Sequence, residues 1–103
     1  MSDPMRIRAI EKDGLVDVKV LMKHDMESGF RKDASGNLVP AWHITSLNAK
    51  VGDKVVFSAE FGPAVSKDPF LNFRFKGALK GDKIIVNWID NHGDTRLDQS
   101  TIA

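Results

Sequence analysis

The sequence contains no cysteine. It can therefore form no disulfide, offer no thiolate nucleophile and build no cysteine-ligated metal site, while the redox compartment stays open. Long hydrophobic runs are missing as well. Nothing approaches the roughly 20 apolar residues that span a bilayer, so membrane insertion is not expected. Nor is there an excess of one charge: fifteen Lys and Arg residues are interspersed with fourteen Asp and Glu, for a formal net charge of +1. No polybasic tail or phosphate-binding stripe stands out along the chain, so nucleic acid and anionic membrane surfaces are not expected as partners. The opening residues, Met1-Ser2-Asp3-Pro4-Met5-Arg6-Ile7-Arg8, lack the basic stretch followed by an apolar one that marks a signal peptide. Taken alone, that points to the cytoplasm. Walker and GxGxxG loops are absent, and Ser28, Ser35, Ser46, Ser58, Ser66 and Ser100 lie in no Gly-x-Ser-x-Gly elbow, so a nucleophilic hydrolase is unsupported.

What the chain does have is period-two alternation. Leu71, Phe73 and Phe75 alternate with Asn72, Arg74 and Lys76, the pattern of a strand with one buried and one wet face. After the turn Gly77–Asp82 a second strand is expected from Lys83 to Asp90, with Ile84, Val86 and Trp88 as its core row. Val16, Val18, Val20 and Met22 form another such row, and Val55, Phe57, Ala59 and Phe61 a fourth. Met5–Ile10 alternates apolar and basic residues, an edge strand whose arginines discourage edge-to-edge pairing. Asn91-His92-Gly93-Asp94 is a hairpin turn, and Thr95–Ile102 the closing strand. From His24 to Pro40 the periodicity fails, which predicts a long connection with a small hairpin around Ala34–Asn37; extended structure resumes over Pro40–Leu47.

About seven short strands with almost no helical signal predict an all-β, immunoglobulin-like antiparallel β-sandwich. At 103 residues the expected organisation is one domain spanning 1–103, large enough to bury roughly 60–70% of its unfolded surface. With no intersheet disulfide, packing of Trp88, Phe73, Phe57 and Val18 has to hold the sheets together.

Candidate chemistry is sparse. His24, His43 and His92 stand in three different segments without metal-ligand spacing. His24 with Asp25 and Glu27 can be written as a carboxylate–histidine site, against the blander reading of a solvated loop. His43 is expected to be a partly buried structural residue and His92 to fill a turn. Asp90, Asp94 and Asp98 cluster near the last hairpin without calcium-loop spacing, and a charged hairpin in water is expected. No catalytic residue, cofactor or metal site is assigned.

The segment Gly62–Pro69 is different because its signal is shape. Pro63 and Pro69 remove backbone donors and restrict the residues before them. A loop so restricted loses less entropy on meeting a partner, with Phe61, Val65 and Phe70 as apolar anchors around Lys67 and Asp68. The competing reading is a rigid connection that crosses between sheets.

These residues resemble the SoxZ family essentially end to end. The likeness rests on Pro4–Arg8, on Val20-Leu21-Met22-Lys23-His24 leading to Met26–Gly29, and on Arg31-Lys32-Asp33 and Pro40-Ala41. It continues through Gly62–Phe70, Phe75-Lys76-Gly77 and Gly81-Asp82-Lys83. The run GPAVSKDPF is the most specific piece. Asp25 departs from the proline the family usually carries after the histidine, which leaves the local shape of the His24 loop open. The resemblance implies an immunoglobulin-like sandwich that contributes no catalytic residue and pairs with SoxY as a heterodimer. SoxY's cysteine-tipped arm carries the sulfur intermediates of thiosulfate oxidation, and other Sox enzymes visit transiently. It also implies a periplasmic location, reached by co-export with a signal-bearing SoxY. The expected partner surface joins Phe61, Gly62, Pro63, Ala64, Val65, Ser66, Lys67, Asp68, Pro69 and Phe70 to Ile85 and Ile89, apolar residues opposite the core rows, as are Val56 and Leu21. Without SoxY, homo-oligomers are expected through the vacant apolar face. The alternatives are a stand-alone small-ligand-binding sandwich that uses the His24 loop, and a metal or redox enzyme.

Overall fold

The computed structural model describes residues 3–103; Met1 and Ser2, part of the N-terminal stretch read above, lie outside the described residues. Seven strands follow one another: β1 (Arg6–Lys12), β2 (Leu15–Leu21), β3 (Ile44–Val51), β4 (Lys54–Glu60), β5 (Phe70–Lys76), β6 (Lys83–Asp90) and β7 (Thr95–Thr101). They form two antiparallel sheets, one ordered β1-β2-β5 and the other β4-β3-β6-β7. Among the described residues there is no helix. The expected sandwich is what the chain forms.

Alternation explains the layering. Val16, Val18 and Val20 on β2 and Phe73 and Phe75 on β5 point inward from one sheet, and Leu47, Ala49, Ile84, Val86 and Trp88 meet them from the other. β5 and β6, successive in sequence, belong to opposite sheets and do not pair; β5 lies nearest β4 across the sandwich. Phe73 stacks on Phe57 with ring centroids 4.2 Å apart, as a sandwich without a disulfide requires. Gly93 holds φ at +85°, the left-handed turn conformation that lets β6 fold back into β7.

One row is broken. Val55 is 48% exposed, whereas alternation places it with Phe57, Ala59 and Phe61. The cause is a bulge: Phe57 opposes Ala49 and Val55 opposes Lys50, which leaves Val56 as the extra residue. An inserted residue inverts the parity of everything beyond it. Val55 is turned out and Val56 packs against the core, so Val56 is not part of the second apolar face.

The two sheets are joined at one edge by the last residues. Ala103 N–H donates to Ala9 O (2.9 Å) and Glu11 N–H to Ala103 O (2.8 Å). Ala103 thus lies alongside β1 in the manner of a parallel bridge, with Ile102 buried beneath it.

Candidate functional site

The strand rows do not stop where the strands do. The inward row of β2 continues through Met22, His24 and Met26, all buried, while Lys23 and Asp25 stay exposed. The inward row of β6 likewise runs one step past Trp88 to Asp90, which is 3% exposed. Period two thus carries a histidine and a carboxylate into the end of the core, where they meet. His24 Nε2 lies 3.1 Å from Asp90 Oδ2, and Trp42 Nε1–H donates to the same oxygen at 2.8 Å. Asp90 Oδ1 accepts the backbone N–H groups of His92 (2.9 Å) and Asp94 (3.0 Å).

This saturation sets the charge. Burial alone pushes the Asp90 carboxyl up, but the bonds from His24, Trp42, Asp94 and His92 together outweigh it and hold the carboxyl below its ordinary range. His24 Nδ1 accepts the N–H of Met26 at 3.0 Å, so the ring is the neutral tautomer that carries its proton on Nε2 and donates it to Asp90. Both ring nitrogens are occupied. Aromatic rings pack around them: Trp88 stands edge-on to His24 at 5.3 Å, Trp42 is tilted at 4.9 Å, and His92 stacks on Trp42 at 5.4 Å. Trp88 Nε1 is buried without a partner.

Above the node opens a cleft of about 340 Å³, lined by Lys23, Asp25, Lys67, Asp68 and Asp94 besides the node's own residues and Asp3. The proline loop closes one side of it. Asp68 adopts φ +53°, accepts the N–H of His24 at 3.0 Å and donates its own N–H to His24 O at 2.9 Å. Met22 N–H reaches Pro69 O at 2.9 Å. The loop crosses from the four-stranded to the three-stranded sheet, and its Asp68–Pro69 end is fastened to the row that bears His24.

Several sequence expectations change. His24 is no solvated loop residue, and its carboxylate partner is Asp90, 66 positions away, rather than Asp25 or Glu27. Glu27 instead accepts from Arg31 Nε at 2.9 and 3.0 Å. The last hairpin is not simply a charged turn in water: Asp90 is core, and Asp98 holds Arg96 and accepts the N–H of Met5. His43 is half-buried as expected, and His92 sits in its turn. Among the described residues no group of three His, Cys, Asp or Glu side chains could hold a metal ion.

The expected partner surface splits by exposure. Gly62, Pro63, Ala64, Ser66 and Lys67 are exposed and Phe70 is 61% exposed, whereas Pro69 is buried. Phe61 and Val65 pack against the core and so are not free anchors; with Phe70 they line a groove of about 510 Å³. Ile85 and Ile89 point outward from the four-stranded sheet, and Leu97, missed in the sequence reading, joins them on its exposed face. Around Ile89 and Leu97 that face is uncharged, with Asn48, Asn87, Thr95 and Gln99 beside the aliphatics, while Lys50 stands opposite Ile85 and Lys83 flanks it. Phe61 N–H bonds Thr45 O, and Thr45 Oγ1 bonds Ile89 O, so the loop begins at the Ile89 end of that face.

A family model described as Sulphur oxidation protein SoxZ matches residues 5–101. No curated protein matches the chain. Among solved structures, a superoxide reductase in the oxidised state is 17% identical with a TM-score of 0.66, over 99% of this chain and 89% of that one. A point variant of superoxide reductase (neelaredoxin) from Archaeoglobus fulgidus, in the reduced form, is 18% identical with a TM-score of 0.63, over 99% and 90%. At such identities the likeness is one of fold.

Proposed function

Since the chain belongs to the SoxZ family of sulphur oxidation proteins, we propose that it is the non-catalytic half of the SoxYZ carrier. In this reading it pairs with SoxY and steadies the base of the arm whose cysteine carries sulfur intermediates, while visiting Sox enzymes dock on the complex. The observation that carries the reading is a family match over nearly the whole chain. Two physical features support it. The chain has no cysteine and cannot hold the covalent intermediate itself. On the outer face of the four-stranded sheet, Ile89 and Leu97 stand among amide and hydroxyl side chains in a charge-free patch of the kind found at an interface core, with Ile85 at its edge beside Lys50 and Lys83. Continued into the exposed loop residues Gly62, Pro63, Ala64, Ser66 and Lys67, that face offers a share of the ~1,200–2,000 Å² that stable complexes bury. The small-ligand reading relied on His24, whose two ring nitrogens are already engaged.

Native mass spectrometry of the chain co-expressed with SoxY tests this. A one-to-one complex is expected, with sulfur adducts on SoxY alone. The double variant Ile85→Lys/Ile89→Lys should raise its Kd at least ~100-fold, since two buried cations are introduced, while its circular dichroism stays native. A complex unaffected by that variant would refute the assigned face, and no complex at all would refute the role. The periplasmic location follows as part of the proposal, and fractionation of cells lacking SoxY tests it: the chain should then stay in the cytoplasm. Purified alone, it should self-associate through the uncovered face.

A further inference from the structure

The charges that look interspersed in sequence are segregated in space. On the outer face of the three-stranded sheet the strand registers build four rows of three side chains: Arg6-Leu21-Phe70, Arg8-Lys19-Asn72, Ile10-Asp17-Arg74 and Lys12-Leu15-Lys76. Six are cations and one is a carboxylate, a local charge of +5; everything else in the molecule then holds nine cations against thirteen carboxylates, −4. A protein of net +1 is therefore strongly polarised.

The arrangement is costly for the sheet by itself. Arg8 stands directly across from Lys19, and like charges so placed repel. Lys12 and Lys76 flank Leu15 from both sides. Only Arg74 has a close anionic partner, with its Nε 3.0 Å from Asp17 Oδ1, and Asn72 bonds the same oxygen at 3.1 Å. An acidic counter-surface would relieve the repulsion that the sheet leaves standing.

We propose that this face docks the acidic surface of a partner protein, separately from whatever covers the four-stranded sheet. A protein fits better than a polyphosphate for two reasons on the face itself. Asp17 interrupts the cations in the middle, where a continuous phosphate ladder would meet a carboxylate. Exposed Phe70 and Ile10, with half-buried Leu15 and Leu21, offer apolar contacts beside the charges, as protein interfaces do. Four rows of three side chains are about half the ~20–30 residues per side of a standard interface. That size suits a brief encounter steered by charge.

The test is fluorescence anisotropy of a labelled deca-glutamate peptide titrated with the full chain at 25 and 150 mM NaCl, beside vesicles containing phosphatidylserine and a 20-base-pair DNA duplex. Saturable binding of the peptide is expected, weaker at 150 mM, where the screening length is about 8 Å. Arg8→Glu/Lys19→Glu/Lys76→Glu should weaken it at least ~10-fold. Asp17→Asn, which removes the face's one anion, should tighten it. The control Lys50→Glu/Lys54→Glu/Lys83→Glu changes the net charge equally on the other sheet and should leave most of the affinity. Equal loss in both triple variants would reduce the effect to net charge and overturn the proposal. Binding to vesicles or duplex without binding to the peptide would overturn it too, as would no binding at 25 mM NaCl.

Discussion

Asp90→Asn keeps the side chain's shape and removes half of its accepting capacity. In the folded protein Oδ2 takes His24 Nε2–H and Trp42 Nε1–H, and Oδ1 takes two backbone N–H groups. The amide oxygen can serve one of these pairs; the amide NH₂ must then face the other pair, donor against donor. Hydrogen bonds to a charged acceptor are worth ~1.5–3 kcal/mol each and a stranded buried donor costs ~1–3 kcal/mol. The terms share one group and do not add fully, so about 3–5 kcal/mol is expected, as for breaking a buried pair from one side. That is a large part of the ~5–15 kcal/mol that holds a small domain folded. Urea unfolding followed by far-UV circular dichroism and by tryptophan fluorescence measures it, because both tryptophans, Trp42 and Trp88, line this node. With m near ~2 kcal/mol/M, the midpoint should fall by roughly 2 M in both signals. A shift below about 0.5 M would mean that water already reaches the carboxylate, and the reasoning would fail. The acid limb gives a second check. Asp90's carboxyl is depressed in the folded state, so the stability it confers is complete above the unfolded carboxylate pKa of ~3.9 and is lost as pH falls below that through the folded value. Asp17, Glu27 and Asp98 are depressed as well. Asp90→Asn should therefore flatten the acid limb without abolishing it.

Phe73→Ala empties the ring stacked on Phe57 at 4.2 Å and should cost ~3–5 kcal/mol in urea titration; a near-neutral midpoint would show that this face is not core. Gly29→Ala asks an L-residue to hold φ +89°, with its Cβ 3.2 Å from Ala41 Cβ, and should lower stability by ~1–3 kcal/mol. Glu27→Gln removes an exposed ion pair to Arg31 and should leave the thermal midpoint within experimental scatter; a clear drop would mean that the His24–Pro40 connection depends on it.

Alternation made the strands legible, since the apolar residues recur at the period that the pleat imposes. It failed at Val55 because a bulge has no compositional mark there and inverts parity silently. The His24–Asp90 pair was within reach of the same rule, had the rows Val16-Val18-Val20-Met22 and Ile84-Val86-Trp88 each been carried one residue on. What stopped them was polarity: a histidine and an aspartate resemble loop residues until each is seen to satisfy the other. That mutual satisfaction depends on positions 66 apart, which no local pattern encodes. The basic face was hidden differently. β1 contributes three of its cations, β2 one and β5 two, an unremarkable density in any one strand, and only the order β1-β2-β5 lays the three sets side by side.

The bonds that set Ala103 beside β1 also decide how the sandwich resists tension. Ala103 and β1 run parallel, so pulling residue 4 and residue 103 apart slides one backbone past the other. The two hydrogen bonds are then loaded together, in shear, instead of being peeled one after the other. Buried Ile102 must leave the core at the same moment. Force entering through the chain ends thus meets its resistance where a strand of each sheet is gripped, and the extension should show one abrupt rupture in place of gradual unzipping from β7.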